Sequence, residues 1–167
     1  MAAALLCQHL QRAGIQTDVT SAGIDATTSP VSRDAVTAMQ QWGVDLSQHT
    51  PRQVTPSILA ADGSDLIITM ARDQLRRLVA ADRRTWVRTF TLKELVRSIE
   101  GLTPAPGTHF EAWAAAIIRR RRGVDLIDDH PVDDLDDVHG RGVAAASGLA
   151  DRIHDLTAAL IPGVPWH

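Results

Sequence analysis

An α/β fold, with a parallel sheet covered by helices on both faces in three layers, follows from three features of the chain. Stretches with a helical apolar period alternate with short β-type runs along most of the 167 residues. One run, Asp65-Leu66-Ile67-Ile68-Thr69-Met70, is apolar at consecutive positions, as in a strand buried on both faces. Gly or Pro stands where several of the helical stretches must stop. Crossovers between parallel strands are right-handed, and ligands collect beyond the carboxyl ends of the strands. That rule puts candidate sites just after Ala22, just after Met70, and in the acidic stretch of residues 123–142.

The elements follow in order. Ala3, Leu6, Cys7, Leu10 and Ala13 share one helical face, and Gly14 is suited to the left-handed stop. Thr17–Ala22 is a short strand candidate ending at Gly23. Ser32 caps a helix running through Trp42, with Val36 and Met39 inward and Gly43 as its end. Thr55 before Pro56 opens a short helix to about Ala61. After the Asp65–Met70 strand comes a helix from about Arg72 to Ala81. Arg88–Leu92 is a second strand, and Lys93–Ile99 a short helix. Residues 101–109 hold two Pro and two Gly and form a loop. Phe110–Arg122 is helical, residues 123–142 are irregular and acidic, and Val143–Ile161 is a last amphipathic helix stopped by Pro162. The chain reads as one domain over residues 1–161 with a loose tail at 162–167.

Composition narrows the function classes. With 44% hydrophobic and 22% charged residues the chain is of ordinary globular type. A net charge of −3 supplies no general attraction to nucleic acid, and none is expected as a partner. No apolar run reaches the roughly 18–20 residues of a membrane span. Met1–Leu6 is apolar but short and lacks a basic leader, so no signal peptide or membrane partner is expected and the cytoplasm is the default compartment. The single cysteine, Cys7, excludes an internal disulfide and a multi-cysteine zinc site, and no cofactor is expected.

Several residues have chemistry to explain. Cys7 lies on the apolar face of the first helix and reads as a small core hydrophobe. Arg119–Arg122 ends a helix; the run complements the helix dipole or forms a patch for an acidic partner. Asp133, Asp134, Asp136 and Asp137 crowd five positions, as a solvated acidic loop or a draw for a divalent cation. Trp42, Trp86 and Trp113 read as core or loop anchors, and Trp166 as an exposed contact. The first helix starts at residue 1 without a capping side chain, either because helices can fray at a terminus or because a strand precedes it.

A family resemblance then orders these segments. Met1-Ala2-Ala3-Ala4-Leu5-Leu6 is similar to the start of the helix that follows the phosphate loop of the low-molecular-weight protein-tyrosine phosphatases. Thr20-Ser21-Ala22-Gly23 resembles the end of their second strand. Gly43-Val44-Asp45-Leu46-Ser47-Gln48-His49-Thr50-Pro51-Arg52-Gln53 resembles a signature G-[IV]-D-x-x-x-H-x-x-R-Q. Asp65–Met70 with Asp73, Leu75 and Leu78 resembles the third strand and its helix, and Thr89-Phe90-Thr91-Leu92-Lys93-Glu94-Leu95 the bacterial branch.

The resemblance implies a four-stranded parallel sheet whose first, central strand would lie between the strands near Val19 and Ile67. It implies phosphotyrosine hydrolysis through a phosphocysteine on a C-x5-R loop, where amides at a helix N-terminus cradle the phosphoryl oxygens and lower the cysteine pKa. That loop is expected immediately before Met1, so the 167 residues are expected to be inactive as they stand. Cys7 and Arg12 are separated by four residues, not five, with no glycine between them. The general acid is expected at Asp137, with Asp136 as the alternative; Val138 replaces the usual proline after it. Ser21 and His49 fall at positions that hydrogen-bond the phosphate loop, although His49 also reads as a simple turn residue. The implied partner is a phosphotyrosine protein, once the upstream segment is present, and open strand edges invite self-association. No metal is implied. An arsenate-reductase-like enzyme shares the fold but uses further cysteines, and a non-catalytic phosphatase-like binding module is the third reading.

Overall fold

The computed structural model describes residues 1–25, 30–60, 63–121 and 131–166. Backbone contacts divide them into two compact units, one of residues 1–54 and 136–161, the other of residues 55–135 and 162–166.

The first unit is helical. Helix α1 (Ala2–Arg12), helix α2 (Arg33–Gln40) and a long C-terminal helix (Val143–Leu160) pack together. Leu5, Leu6 and Leu10 of α1, Met39 of α2, and Ala146, Ala150, Ile153 and Leu160 of the long helix are buried. Ser32 caps α2 as its sequence predicts, its hydroxyl accepting from the Ala35 amide at 3.2 Å. The helix ends at Gln40 rather than Trp42, which sits in the following turn, and Gly43 supplies the left-handed backbone (φ +68°). The expected strand at residues 17–22 forms no ladder. Pairing begins only at Gly23, which bridges Gln53 in parallel: its amide donates to the Arg52 carbonyl and its carbonyl accepts from the Val54 amide, both at 2.9 Å. A strand requires a neighbouring backbone to take its donors and acceptors, and among the described residues none runs beside 17–22.

The second unit holds the sheet. Strand β1 (Ile67–Thr69) lies parallel to β2 (Thr89–Thr91), with Ile67 opposite Thr89, Ile68 opposite Phe90 and Thr69 opposite Thr91. The crossover is helix α3 (Arg72–Ala81) plus a 3-10 helix (Arg83–Arg88). Helices α4 (Leu92–Ile99) and α5 (Phe110–Ile118) follow, then a 3-10 turn at Pro131–Asp133; the long C-terminal helix of the first unit is α6. Phe90, Leu92, Leu95, Leu75, Leu78, Trp113 and Ile117 form the core of this unit. Leu66, Ile67 and Ile68 are only half-buried, where the apolar run predicted a strand covered on both faces. Among the described residues β1 pairs on one edge alone, with β2.

The short helix expected from Thr55 is a single turn, in which the Thr55 carbonyl accepts from Ile58 and Leu59. Arg88 explains the stop. Its guanidinium donates to the carbonyls of Leu59 (2.7 Å), Ala60 (2.8 Å) and Ser64 (2.8 Å), acceptors that a continuing helix would use. Of the residues expected to be a loose tail, Gly163 and Val164 are docked, and His167 lies outside the described residues. Val164 is buried, and the Trp113 indole donates to the Gly163 carbonyl at 3.0 Å. Gly163 is required there, because a Cβ would stand 2.7 Å from Ile99 Cδ1.

Candidate active site

The four aspartates of residues 133–137 are sorted by their surroundings. Asp133, in the second unit, is fully buried and pairs with Arg72 and Arg97, the second Arg97 contact lying at 3.1 Å. Burial pushes its carboxyl up, but hydrogen bonds from Arg97 and Arg72 outweigh that and hold it below the ordinary value. Asp134 accepts from the Arg72 amide at 2.7 Å, the first residue of α3. It thereby caps a helix whose own N-cap residue, Ala71, has no side chain for the task. Lys93 donates to the carbonyls of Val132 (3.2 Å) and Asp134 (2.5 Å), and the Leu135 amide donates to the Met70 carbonyl at 2.8 Å. Residues 132–135 are therefore fastened beyond the carboxyl end of β1, one of the places where the sheet rule puts a site.

Asp136 and Asp137, in the first unit, are exposed. Asp137 folds into a tight turn, its Oδ1 accepting from the His139 amide at 2.9 Å, with Gly140 (φ +73°) behind it. Asp136 makes no comparable contact among the described residues. Ser21 and His49 share this unit and are exposed. The Ser21 carbonyl accepts from Arg52 Nε at 2.7 Å, and the His49 amide donates to the Leu46 carbonyl at 3.1 Å. Arg52 thus ties the end of the 17–22 segment to the turn carrying His49, beside the Gly23–Gln53 bridge. Among the described residues no hydrogen bond joins the side chains of Ser21, His49 and Asp137.

Cys7 is a free, half-buried thiol in the middle of α1. The surrounding amides are engaged along the helix, so no cradle of free N–H groups surrounds it. No group of three or more His, Cys, Asp and Glu side chains arranged to hold a metal occurs among the described residues.

The arginine run behaves differently from both readings of the sequence. Helix α5 stops at Ile118, and Arg121 turns inward, its side chain only 3% exposed. It makes a two-toothed pair with Glu94 (2.5 and 3.0 Å) and donates to the Thr89 carbonyl at 2.7 Å. Its guanidinium lies over Trp86 (4.0 Å) and Phe90 (4.6 Å). Glu94 also closes a reciprocal cap with Thr91 at the start of α4. The signal for that cap, Thr-x-x-Glu, was present in the sequence; the partner of Glu94 was not. Arg122 lies outside the described residues.

The comparisons agree with this architecture. Residues 1–103 match the family described as low molecular weight phosphotyrosine protein phosphatase. The probable low molecular weight protein-tyrosine-phosphatase EpsP of Ralstonia solanacearum is 38% identical over 96 residues, 57% of this chain and 62% of that protein. The match therefore spans less than two thirds of that relative. A YwlE mutant from Bacillus subtilis superposes with a TM-score of 0.69 at 21% identity, covering 95% of this chain and 84% of that one. A low molecular weight protein tyrosine phosphatase from T. tengcongensis gives 0.69 at 22%, over 96% and 86%. Wzb of Vibrio vulnificus, solved with benzylphosphonate, gives 0.64 at 16%, over 95% and 85%. At these identities the structures speak for the fold, which is the α/β class with a parallel sheet expected from the sequence. Fold and matched segment together define a phosphatase-type α/β protein. The chain belongs to the low molecular weight protein-tyrosine phosphatase family.

Proposed function

We propose that this chain is the body of a phosphotyrosine phosphatase whose reaction needs a C-x5-R loop in addition to the 167 residues, and that Asp137 is its general acid. The observation that carries the acid assignment is the sorting of the aspartates. Asp133 is consumed by two arginines and Asp134 by the α3 amide, which leaves Asp136 and Asp137 as the exposed pair. Of these two, Asp137 has its side chain fixed by a turn hydrogen bond. It protonates the departing phenolate and then takes a proton from the attacking water. Ser21 and His49 support the phosphate loop through their side chains. Within the 167 residues the one thiol, Cys7, is helical and lacks an anion cradle, so the chain by itself does not turn over. A phosphotyrosine protein is the partner, and the family description and the EpsP name support that substrate class.

The test is hydrolysis of an aryl phosphate by the 167-residue chain and by a form extended upstream with a C-x5-R segment. The expected result is background rate for the first and turnover for the second. Turnover by the short chain that is lost in Cys7→Ser would instead make Cys7 the nucleophile. An extended form that folds but stays inert would favour the non-catalytic binding-module reading.

A further inference from the structure

Three aromatic side chains of the first unit come together where α1, α2 and α6 meet. His154 of α6 contacts the other two. Its ring stacks on Trp42, in the turn after α2, with centroids 3.7 Å apart and planes at 12°. The ring of His9, from α1, lies 4.6 Å from that of His154 at 58°. His9 Nε2 is 3.2 Å from the His154 carbonyl, so a neutral His9 protonated at Nε2 makes that bond without charge. The same turn grips α1 a second time, through Gln8 Nε2 donating to the Trp42 carbonyl at 2.9 Å.

The charges facing the pair come from two elements. On α1, Arg12 adds positive potential; on α6, Asp155 supplies negative charge, its Oδ1 lying 3.2 Å from His154 Nδ1. The α2 side contributes neutral groups, Trp42 and Gln41, whose amide is spent on Asp151 Oδ1 at 2.9 Å. Of the charges that act on His9, Asp155 favours an imidazolium and Arg12 opposes it. An imidazolium at His9 would face the His154 ring at 4.6 Å with Arg12 on its own helix, and burial opposes it as well.

We propose that His9, His154 and Trp42 form a pH-sensitive lock that holds α1 against α6 while His9 is neutral and releases it on protonation. Burial first, then His154 and Arg12, hold the His9 pKa below its ordinary value, against the pull of the His154 carbonyl and Asp155. The sign follows. A histidine with a depressed folded pKa adds stability that is complete above about 6.5 and is lost as the pH falls towards the folded value. Acidification thus loosens α1 first, the helix that the family resemblance sets directly after the phosphate loop. The inference rests on the packing alone and stands whether or not the catalytic proposal does.

The experiment uses the 167-residue chain at about pH 8 and about pH 5, two values that bracket the histidine range. Amide exchange at Leu5, Leu6 and Leu10, corrected for the intrinsic rate, reads the opening of α1; we expect it to be more frequent at the lower pH. Trp42 emission, taken as the difference from Trp42→Phe, changes over the same range. In His9→Gln the dependence of α1 opening on pH disappears while exchange in α4 is unaffected. The imidazole resonances of the unmodified chain supply a reading that needs no variant: His9 titrates below about 6.5. Equal opening of α1 at the two pH values, a His9 midpoint at or above 6.5, or acceleration that persists in His9→Gln overturns the lock.

Discussion

At the residue scale, the acidic stretch shows four identical side chains with different tasks. Asp133 is an internal counter-ion, Asp134 a helix cap, and Asp136 and Asp137 are exposed. In an active, upstream-extended form, Asp137→Asn is expected to lower turnover by about a hundredfold on substrates with basic leaving groups, the low end of what a positioned general acid supplies. Activated leaving groups lose far less, because they depart without a proton. A larger loss from Asp136→Asn in the same leaving-group series would transfer the role. Asp133→Ala tests stability instead. Arg72, 11% exposed, is left without its counter-ion, at a cost of about 3 kcal/mol in unfolding free energy measured by urea unfolding. The pH dependence has a definite direction. Because the folded Asp133 pKa is lowered, its contribution is fully present above about pH 4 and is lost as the pH falls through the folded value. The acid limb of the stability profile is therefore expected to flatten in Asp133→Ala, and an unchanged limb would remove Asp133 from that role.

At the element scale, Arg121 converts the end of α5 from a charged run into part of the core beside β2. Arg121 and Glu94 are both largely withdrawn from water, and the Arg121 guanidinium lies over the rings of Trp86 and Phe90. Truncating one member strands the other. Arg121→Ala is expected to cost about 3–5 kcal/mol, whereas exposed Arg119→Ala stays within about 0.5 kcal/mol. The double variant Glu94→Gln with Arg121→Met should recover a large part of the loss, since replacing a buried pair by apolar volume is often neutral. Denaturant unfolding of the unchanged chain, Glu94→Gln, Arg121→Met and the double variant measures this cycle; additivity of the two single losses would mean that the ion pair is not coupled. The reciprocal cap between Thr91 and Glu94 means that Glu94→Gln alone also weakens the start of α4.

At the scale of the whole molecule, the sheet of the 167-residue chain is small. Among the described residues β1 pairs only with β2, and the 17–22 segment has no ladder. An unpaired parallel edge with half-buried Leu66, Ile67 and Ile68 beside it is a template for another chain. Self-association through that edge is accordingly the expected behaviour of the isolated 167 residues. Light scattering during thermal unfolding measures it. A clean monomer with a sharp, reversible transition above about 55 °C, ordinary for a mesophilic domain, would show the edge to be satisfied within the chain. No described helix is long and apolar enough to cross a membrane.

Local rules carried much of this protein. Ser32 before α2, Gly14 and Gly43 after their helices, and the span Arg72–Ala81 could be read directly, because a cap, a left-handed stop or a helical period is written within a few residues. The α/β class and the family could be read for the same reason, since order and spacing of short motifs survive in one dimension. Tertiary structure decided the rest. The sequence cannot say which aspartate of 133–137 meets Arg72 and Arg97, because those partners lie 61 and 36 positions away. Nor could it show that Arg121 reaches back to Glu94, that Arg88 halts the turn at 59–60, or that Gly163 closes on Ile99. A charge is assigned to surface or core by whatever counter-charge the fold brings to it, and a β-type segment becomes a strand only when another backbone lies beside it. Both are relations between distant residues, which packing alone creates.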